Sequence, residues 1–183
     1  MTKNNYINLF DYELQAQKML PQDVWAYFSG AAADGITARA NIEAWQDISL
    51  MPRVLKNFRG SHTHSTLFGR RVPCPIFTAP MAYQRLAHPQ GEAALAMAAS
   101  VQGAGVILST QTSTPMQDVA KIVLNEPNRG PLWFQLYLQH DEGFNRNLIK
   151  DVEAAGFEAI VLTVDAPING MRDNERRAGF RLP

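Results

Sequence analysis

Between residues 75 and 167 the chain repeats one unit, a short apolar run followed by a helical segment. The runs are "PIFTAP" (75–80), "GVILST" (105–110), "LWFQLY" (132–137) and "AIVLTVDAP" (159–167). Between them lie "GEAALAMAASVQG" (91–103), "TPMQDVAKIVL" (114–124) and "EGFNRNLIKDVEAAG" (142–156). Runs that are apolar on both faces predict parallel strands covered on each side. Glycine is expected to close the first helix, with Thr114 capping the second and Pro115 in its first position. A strand–helix repeat of about 25 to 30 residues is the unit of an α/β barrel or of a doubly wound sheet.

The strand ends separate the two. A dinucleotide-binding sheet would carry G-x-G-x-x-G after its first strand, and "MAYQRLAHPQGEAA" stands there instead. No phosphate-cradling P-loop is present either. The strands end in Ala79-Pro80-Met81-Ala82, Ser109-Thr110-Gln111, Gln135-Leu136-Tyr137 and Thr163-Val164-Asp165. In a barrel, the C-terminal strand ends carry the chemistry. One polar strand end is most simply a satisfied terminus. Four in register read as a polar floor beneath a bound molecule.

Up to about residue 70 the chain is helical and irregular. Helices are expected in "NLFDYELQAQKML" with Asn8 as cap, in "PQDVWAYFSG" between Pro21 and Gly30, and in "DGITARANIEAWQDI". A small hairpin is expected around Gly69 in "HSTLFGRRVPCP". This divides the chain into residues 1–74, helices and hairpin, and 75–183, a half-barrel.

Lys plus Arg and Asp plus Glu balance at 17 each, so charge makes no case for nucleic acid or an acidic membrane surface. The single Cys74 excludes an internal disulfide framework and points to a reducing compartment. "MTKNNYINLFDYELQAQKML" has no apolar core of a signal peptide, and no run is long enough to span a membrane. A cytoplasmic location is expected. His62 and His64 in "SHTHS" lack a third ligand and read as surface, so no metal is expected. His88 and His140 read as loop residues, and Cys74 as a packed, inert thiol.

The segments "YFSGAAADGITARANIEAW", "APMAYQRLAHPQGE", "LSTQTS", "WFQLY" and "LTVDAPINGMRDNERRAGF" resemble the FMN-dependent 2-hydroxy-acid oxidases and dehydrogenases, in order and over nearly the whole chain. The resemblance implies a TIM (β/α)8 barrel preceded by N-terminal helices, of which this chain holds the helices, the hairpin and four βα units. It implies FMN as cofactor. Backbone at Pro80, Met81 and Ala82 would meet the reactive edge of the flavin. Ser109, Gln135 and Thr163 would bind its ring. Tyr27, Tyr137 and Arg172 would contact a small 2-hydroxy acid, with Tyr137 also beside the flavin and counted as catalytic. An Arg can hold a carboxylate through two parallel hydrogen bonds, and phenols can orient it without adding charge.

In the family the catalytic His, a flavin-side Lys, a second Arg and the phosphate-binding segments come from the second half of the barrel. The chain is therefore expected to be the N-terminal part of an enzyme oxidising an L-2-hydroxy acid to a 2-oxo acid. The missing C-terminal half would be its partner, and the assembly a homotetramer. Ala82 and the "LAH" loop lean towards an oxidase. The alternative is a non-catalytic remnant that binds flavin or a partner.

Overall fold

The computed structural model describes residues 6–165 and 168–182. The chain forms two compact units, residues 1–56 with 168–183, and residues 57–167. In the first, helix α1 spans Leu9–Met19 and Asn8 caps it as expected. The Asn8 side chain accepts from the Asp11 amide at 3.1 Å, and the Asp11 carboxylate accepts from the Asn8 amide at 3.2 Å. Such a reciprocal box satisfies two amides that a helix start leaves unpaired. Helix α2 covers Gln22–Ser29 between Pro21 and Gly30, and α3 covers Ile36–Gln46. A further helix, α7, spans Asp173–Ala178 and packs on α2. "DNERRA" has no apolar period to announce a helix. Its acids come first and its arginines last, which suits the helix dipole, and Gly179 closes it at φ 72°.

The second unit opens with the expected hairpin, β1 (Ser65–Leu67) antiparallel to β2 (Arg70–Val72). Phe68 and Gly69 both take positive φ, 48° and 75°, the turn that matches hairpin twist. Four strands then form a parallel sheet in the order β3 (Phe77–Thr78), β4 (Gly105–Ser109), β5 (Leu132–Leu136), β6 (Ala159–Leu162). Helices α4 (Gly91–Val101), α5 (Met116–Leu124) and α6 (Glu142–Ala154) connect them. Strand β3 is shorter than "PIFTAP", because Pro75 and Pro80 at its ends donate no backbone hydrogen bond. The last two residues of the fourth expected strand, Ala166 and Pro167, lie outside the described residues.

One sheet face is buried beneath the helices. Val106, Leu108, Leu132, Phe134 and Leu136 meet Ala96, Val119, Val123 and Val152 there. On edge strand β6, Ile160 and Leu162 belong to this face and stay 42% and 47% exposed. Alternation puts Phe77, Ile107, Trp133 and Val161 on the opposite face, where the Phe77 and Trp133 rings meet in a tilted pair at 4.5 Å.

The hairpin covers the N-terminal ends of β5 and β6. Arg70 pairs with Glu158 and donates to the carbonyls of Arg129 and Gly130 at 3.1 and 3.2 Å. Arg129 joins the same carboxylate at 2.5 Å, and Phe68 packs on Trp133 at 5.5 Å. Thr114 does not cap α5. Pro115 holds the N-cap position, and the Thr114 hydroxyl instead donates to Glu92 at 2.7 Å. A buried carboxylate is the stronger acceptor and outbids the local cap.

Gly105 opens β4 directly beneath the Phe77 ring, where a Cβ would collide with ring carbons. Gly105→Ala is expected to destabilise the complete protein by about 1–3 kcal/mol, the range for overpacking a filled layer. Adding Phe77→Leu should recover part of the loss. Urea midpoints of the single and double variants check this; independent, additive losses would refute the contact.

Candidate functional site

The register decides which side chains share the upper end of the sheet. Ser109 lies opposite Gln135, and Gln135 opposite Val161, so Thr163 stands on the same face one step higher. These three form a hydrogen-bonded row. Ser109 Oγ donates to Gln135 Oε1 at 3.1 Å, and Gln135 Nε2 donates to Thr163 Oγ1 at 3.0 Å. The Thr110 amide also donates to Oε1 at 3.4 Å. A backbone amide can only donate, so this contact fixes Oε1 towards β4 and Nε2 towards β6. Ser109 and Gln135 are 3% and 2% exposed. Across two strand spacings the row runs about 10 Å. It carries no net charge and offers both donors and acceptors.

Tyr137 continues β5 beyond the row and is 39% exposed. Its amide donates to Thr110 Oγ1 at 3.1 Å, and that hydroxyl donates to the Gln135 carbonyl at 2.5 Å. Two strand ends are thereby cross-braced. Pro80, Met81 and Ala82 leave β3 in a loop that leads into a 3-10 turn at Gln84–Leu86. Pro80 and Met81 are exposed and Ala82 half-buried.

The compact unit that contains Tyr27 also contains Arg172. Arg172 Nη2 donates to the Tyr27 carbonyl at 3.0 Å. Its Nε and Nη2 both reach Glu175 Oε1 at 2.5 Å. Among the described residues, the hydrogen bonds of the guanidinium run from Nε and Nη2. The Tyr27 ring stacks on Phe180 at 4.6 Å with an interplanar angle of 19°. Among the expected site residues, then, the structure joins Ser109, Gln135 and Thr163 directly, and Tyr27 with Arg172. His62 and His64 stack on each other at 4.5 Å, and Arg71 lies against His64 Nδ1.

Sequence reasoning passed over Glu92. In "HPQGE" it reads as an ordinary acid in the first turn of a helix. In the structure it is 1% exposed. It accepts from the Ser113 amide (2.8 Å), the Ser113 hydroxyl (2.8 and 2.9 Å), the Thr114 hydroxyl (2.7 Å) and the Gln84 amide (3.2 Å). Burial alone would raise its pKa. The hydrogen bonds from the backbone of Ser113 and of Glu92 itself, and from the Thr114 and Ser113 side chains, outweigh burial and hold it below the usual glutamate value. No local pattern announces this, because every donor other than the residue's own backbone lies eight or more residues away.

A depressed pKa makes this contribution to stability present at neutral pH and lost as the pH falls through the folded-state value. The wild type should therefore be more stable than Glu92→Gln at pH 7. The gap should close in acid, beneath the ordinary glutamate range. Paired urea titrations across pH measure the difference; a gap that widens in acid would contradict the direction of the shift.

A family model described as FMN-dependent dehydrogenase matches residues 16–183. An L-lactate oxidase of Roseobacter sp. (strain GAI101) is 45% identical over 97% of this chain and 46% of its own length. A 4-hydroxymandelate oxidase of Amycolatopsis orientalis is 37% identical over 97% of this chain and 48% of its own. A crystal structure of a mandelate oxidase with 3,3-difluoro-2-hydroxy-3-phenylpropionic acid superposes with a TM-score of 0.90 at 37% identity, over 97% of this chain and 52% of that one. The chain thus spans about half the length of the curated relatives it matches. The four parallel strands and the helices between them are the matching part of the (β/α)8 barrel of these flavoenzymes, and the chain belongs to the FMN-dependent dehydrogenase family.

Proposed function

We propose that the complete protein built on this chain uses FMN to oxidise an L-2-hydroxy acid to the 2-oxo acid, and that it is an oxidase. The observation that carries this is the neutral row Ser109–Gln135–Thr163 at the upper ends of three adjacent parallel strands. An isoalloxazine ring presents carbonyls and N–H groups along one edge. A row holding both donors and acceptors, without charge, fits that edge. One Gln135 Nε2 hydrogen remains for it after the bond to Thr163. Bound FMN supplies the two-electron acceptor.

The chain's own residues bind and orient. Ser109, Gln135 and Thr163 would hold the ring, and the backbone at Pro80, Met81 and Ala82 would meet its reactive edge. Arg172 would offer its guanidinium to the substrate carboxylate while Glu175 and the Tyr27 carbonyl fix its position. Tyr27 and Tyr137 position the carboxylate and the reacting hydroxyl through their phenols. The base that takes the hydroxyl proton is assigned to the second half of the barrel.

The relatives support oxidase chemistry on 2-hydroxy acids: they are L-lactate oxidase, 4-hydroxymandelate oxidase and 2-hydroxyacid oxidase 2 of Rattus norvegicus. Solved mandelate oxidase variants include a Tyr→Phe and an Arg→Leu change, at positions as far apart in that protein as Tyr137 and Arg172 are here. Residues 1–74 would serve as the N-terminal extension and 75–183 as half the barrel, in a cytoplasmic homotetramer. Oxygen consumption against a panel of L-2-hydroxy acids tests the activity. Absence of turnover with every acid, in a flavin-loaded protein, would refute it.

Gln135→Leu is expected to weaken FMN binding by about 1–3 kcal/mol, because ring atoms and the two flanking hydroxyls lose their partner. Fluorescence titration of FMN into the apoprotein reads it, and unchanged affinity would remove Gln135 from the cofactor. Arg172→Met should lower kcat/KM by about 2–5 kcal/mol. Arg172→Lys should recover little of that, since the fork that meets Glu175 and Tyr27 together is gone. Steady-state kinetics decide, and near-normal kcat/KM in the Met variant would exclude the clamp.

A further inference from the structure

We propose that Glu92 is a positioning residue for the cofactor site, setting the backbone of the Pro80–Ala82 loop against Ser109. This rests on the FMN reading above. The carboxylate lies in the first turn of α4, beneath two loops, one following β3 and one following β4. It accepts from Gln84 in the first and from Ser113 and Thr114 in the second. Two further bonds run between the same loops. The Tyr83 amide donates to the Gln111 carbonyl at 3.0 Å, and the Arg85 amide donates to the Ser113 hydroxyl at 3.0 Å.

The chain between these anchors is strained. Tyr83 takes φ 52°, a left-handed conformation that a residue with a Cβ adopts only when its surroundings over-determine it. Tyr83 directly follows Ala82, so this conformation sets how the chain leaves the Met81–Ala82 backbone. On the other side, the Gln111 amide donates to Ser109 Oγ at 3.1 Å, the atom that in turn donates to Gln135. Glu92 is therefore bonded, through Ser113 and the short turn before it, to the start of the polar row. One buried carboxylate ties the loop at the reactive edge to the group that holds the ring.

A helix acid that merely favours the dipole would face water and leave the loops free. Here the carboxylate's hydrogen bonds to other residues run to Gln84 in one loop and to Ser113 and Thr114 in the other. Glutamine has the same shape: its carbonyl can take the two amide donors on Oε1, while its NH2 donates to the hydroxyls, which rotate. The proposal therefore separates Glu92→Ala, which unties the loops, from Glu92→Gln, which keeps them tied.

The test uses the complete protein as apoprotein, titrated with FMN. It reads affinity by flavin fluorescence, the visible absorption band of the bound flavin, and global stability by urea. Glu92→Ala is expected to lose FMN affinity by about tenfold or more and to shift the flavin band, and Glu92→Gln to stay within about threefold of wild type. Ser113→Ala, a milder cut in the same network, covers the case in which Glu92→Ala does not fold, and should lose affinity by about threefold to tenfold. Wild-type affinity and spectrum in Glu92→Ala, or in Ser113→Ala if the former is unfolded, would overturn the positioning role while leaving the FMN reading intact. Equal damage in Glu92→Gln and Glu92→Ala would overturn the geometric account. A wild type that binds no FMN would overturn both readings.

Discussion

The register between β4, β5 and β6 is the constraint on which the site depends. Side chains alternate across a strand, so a slip by one residue turns each of them to the other face. Slipping β5 by one would send Gln135 into the apolar layer of Val119, Val123 and Val152, and bring Phe134 or Leu136 to the site. Burying that amide without partners would cost about 1–3 kcal/mol, before counting the lost packing of Phe134. The core and the polar row thus specify the same pairing, each penalising the alternatives that the other disfavours.

The same economy governs the loops. Parallel strands leave their ends at one level, and those ends need hydrogen-bond partners once covered. Thr110 braces β5 through the Gln135 carbonyl and the Tyr137 amide. Glu92 gathers the turns after β3 and β4. Buried polar groups of this kind are costly when unsatisfied and rigid when satisfied. The result is a scaffold in which neutral groups stand at the strand ends while the buried charge of Glu92 lies beneath the neighbouring loops. At the opposite end of the strands, Arg70 and Arg129 close the structure on Glu158.

Much of this was legible in the sequence because it is periodic. The four apolar runs, the three intervening helices and the hairpin around Gly69 follow from patterns spanning a few residues. The row itself was legible as polar residues at strand ends, since Ser109, Gln135 and Thr163 interrupt apolar runs at equivalent places. What stayed hidden depends on contacts distant in sequence. Helix α7 has no apolar stripe, and its hold on α2 is tertiary. Thr114 looked like a cap because its local pattern is that of one, and a buried carboxylate 22 residues earlier takes its hydroxyl instead. Glu92 was invisible for the same reason. The pairing of Arg172 with Glu175 lies only three residues apart, but its partner at Tyr27 is 145 residues away.

A crystal structure of the complete protein grown with FMN tests the central claim most directly, that a neutral row at three strand ends receives the flavin ring. The account predicts polar ring atoms within about 3.2 Å of Ser109 Oγ, Gln135 Nε2 and Thr163 Oγ1, the ordinary limit of a good hydrogen bond. The Pro80–Ala82 backbone should then run along the reactive edge. A flavin bound elsewhere in the barrel, with the Ser109–Gln135–Thr163 row bonded only to itself, would contradict it.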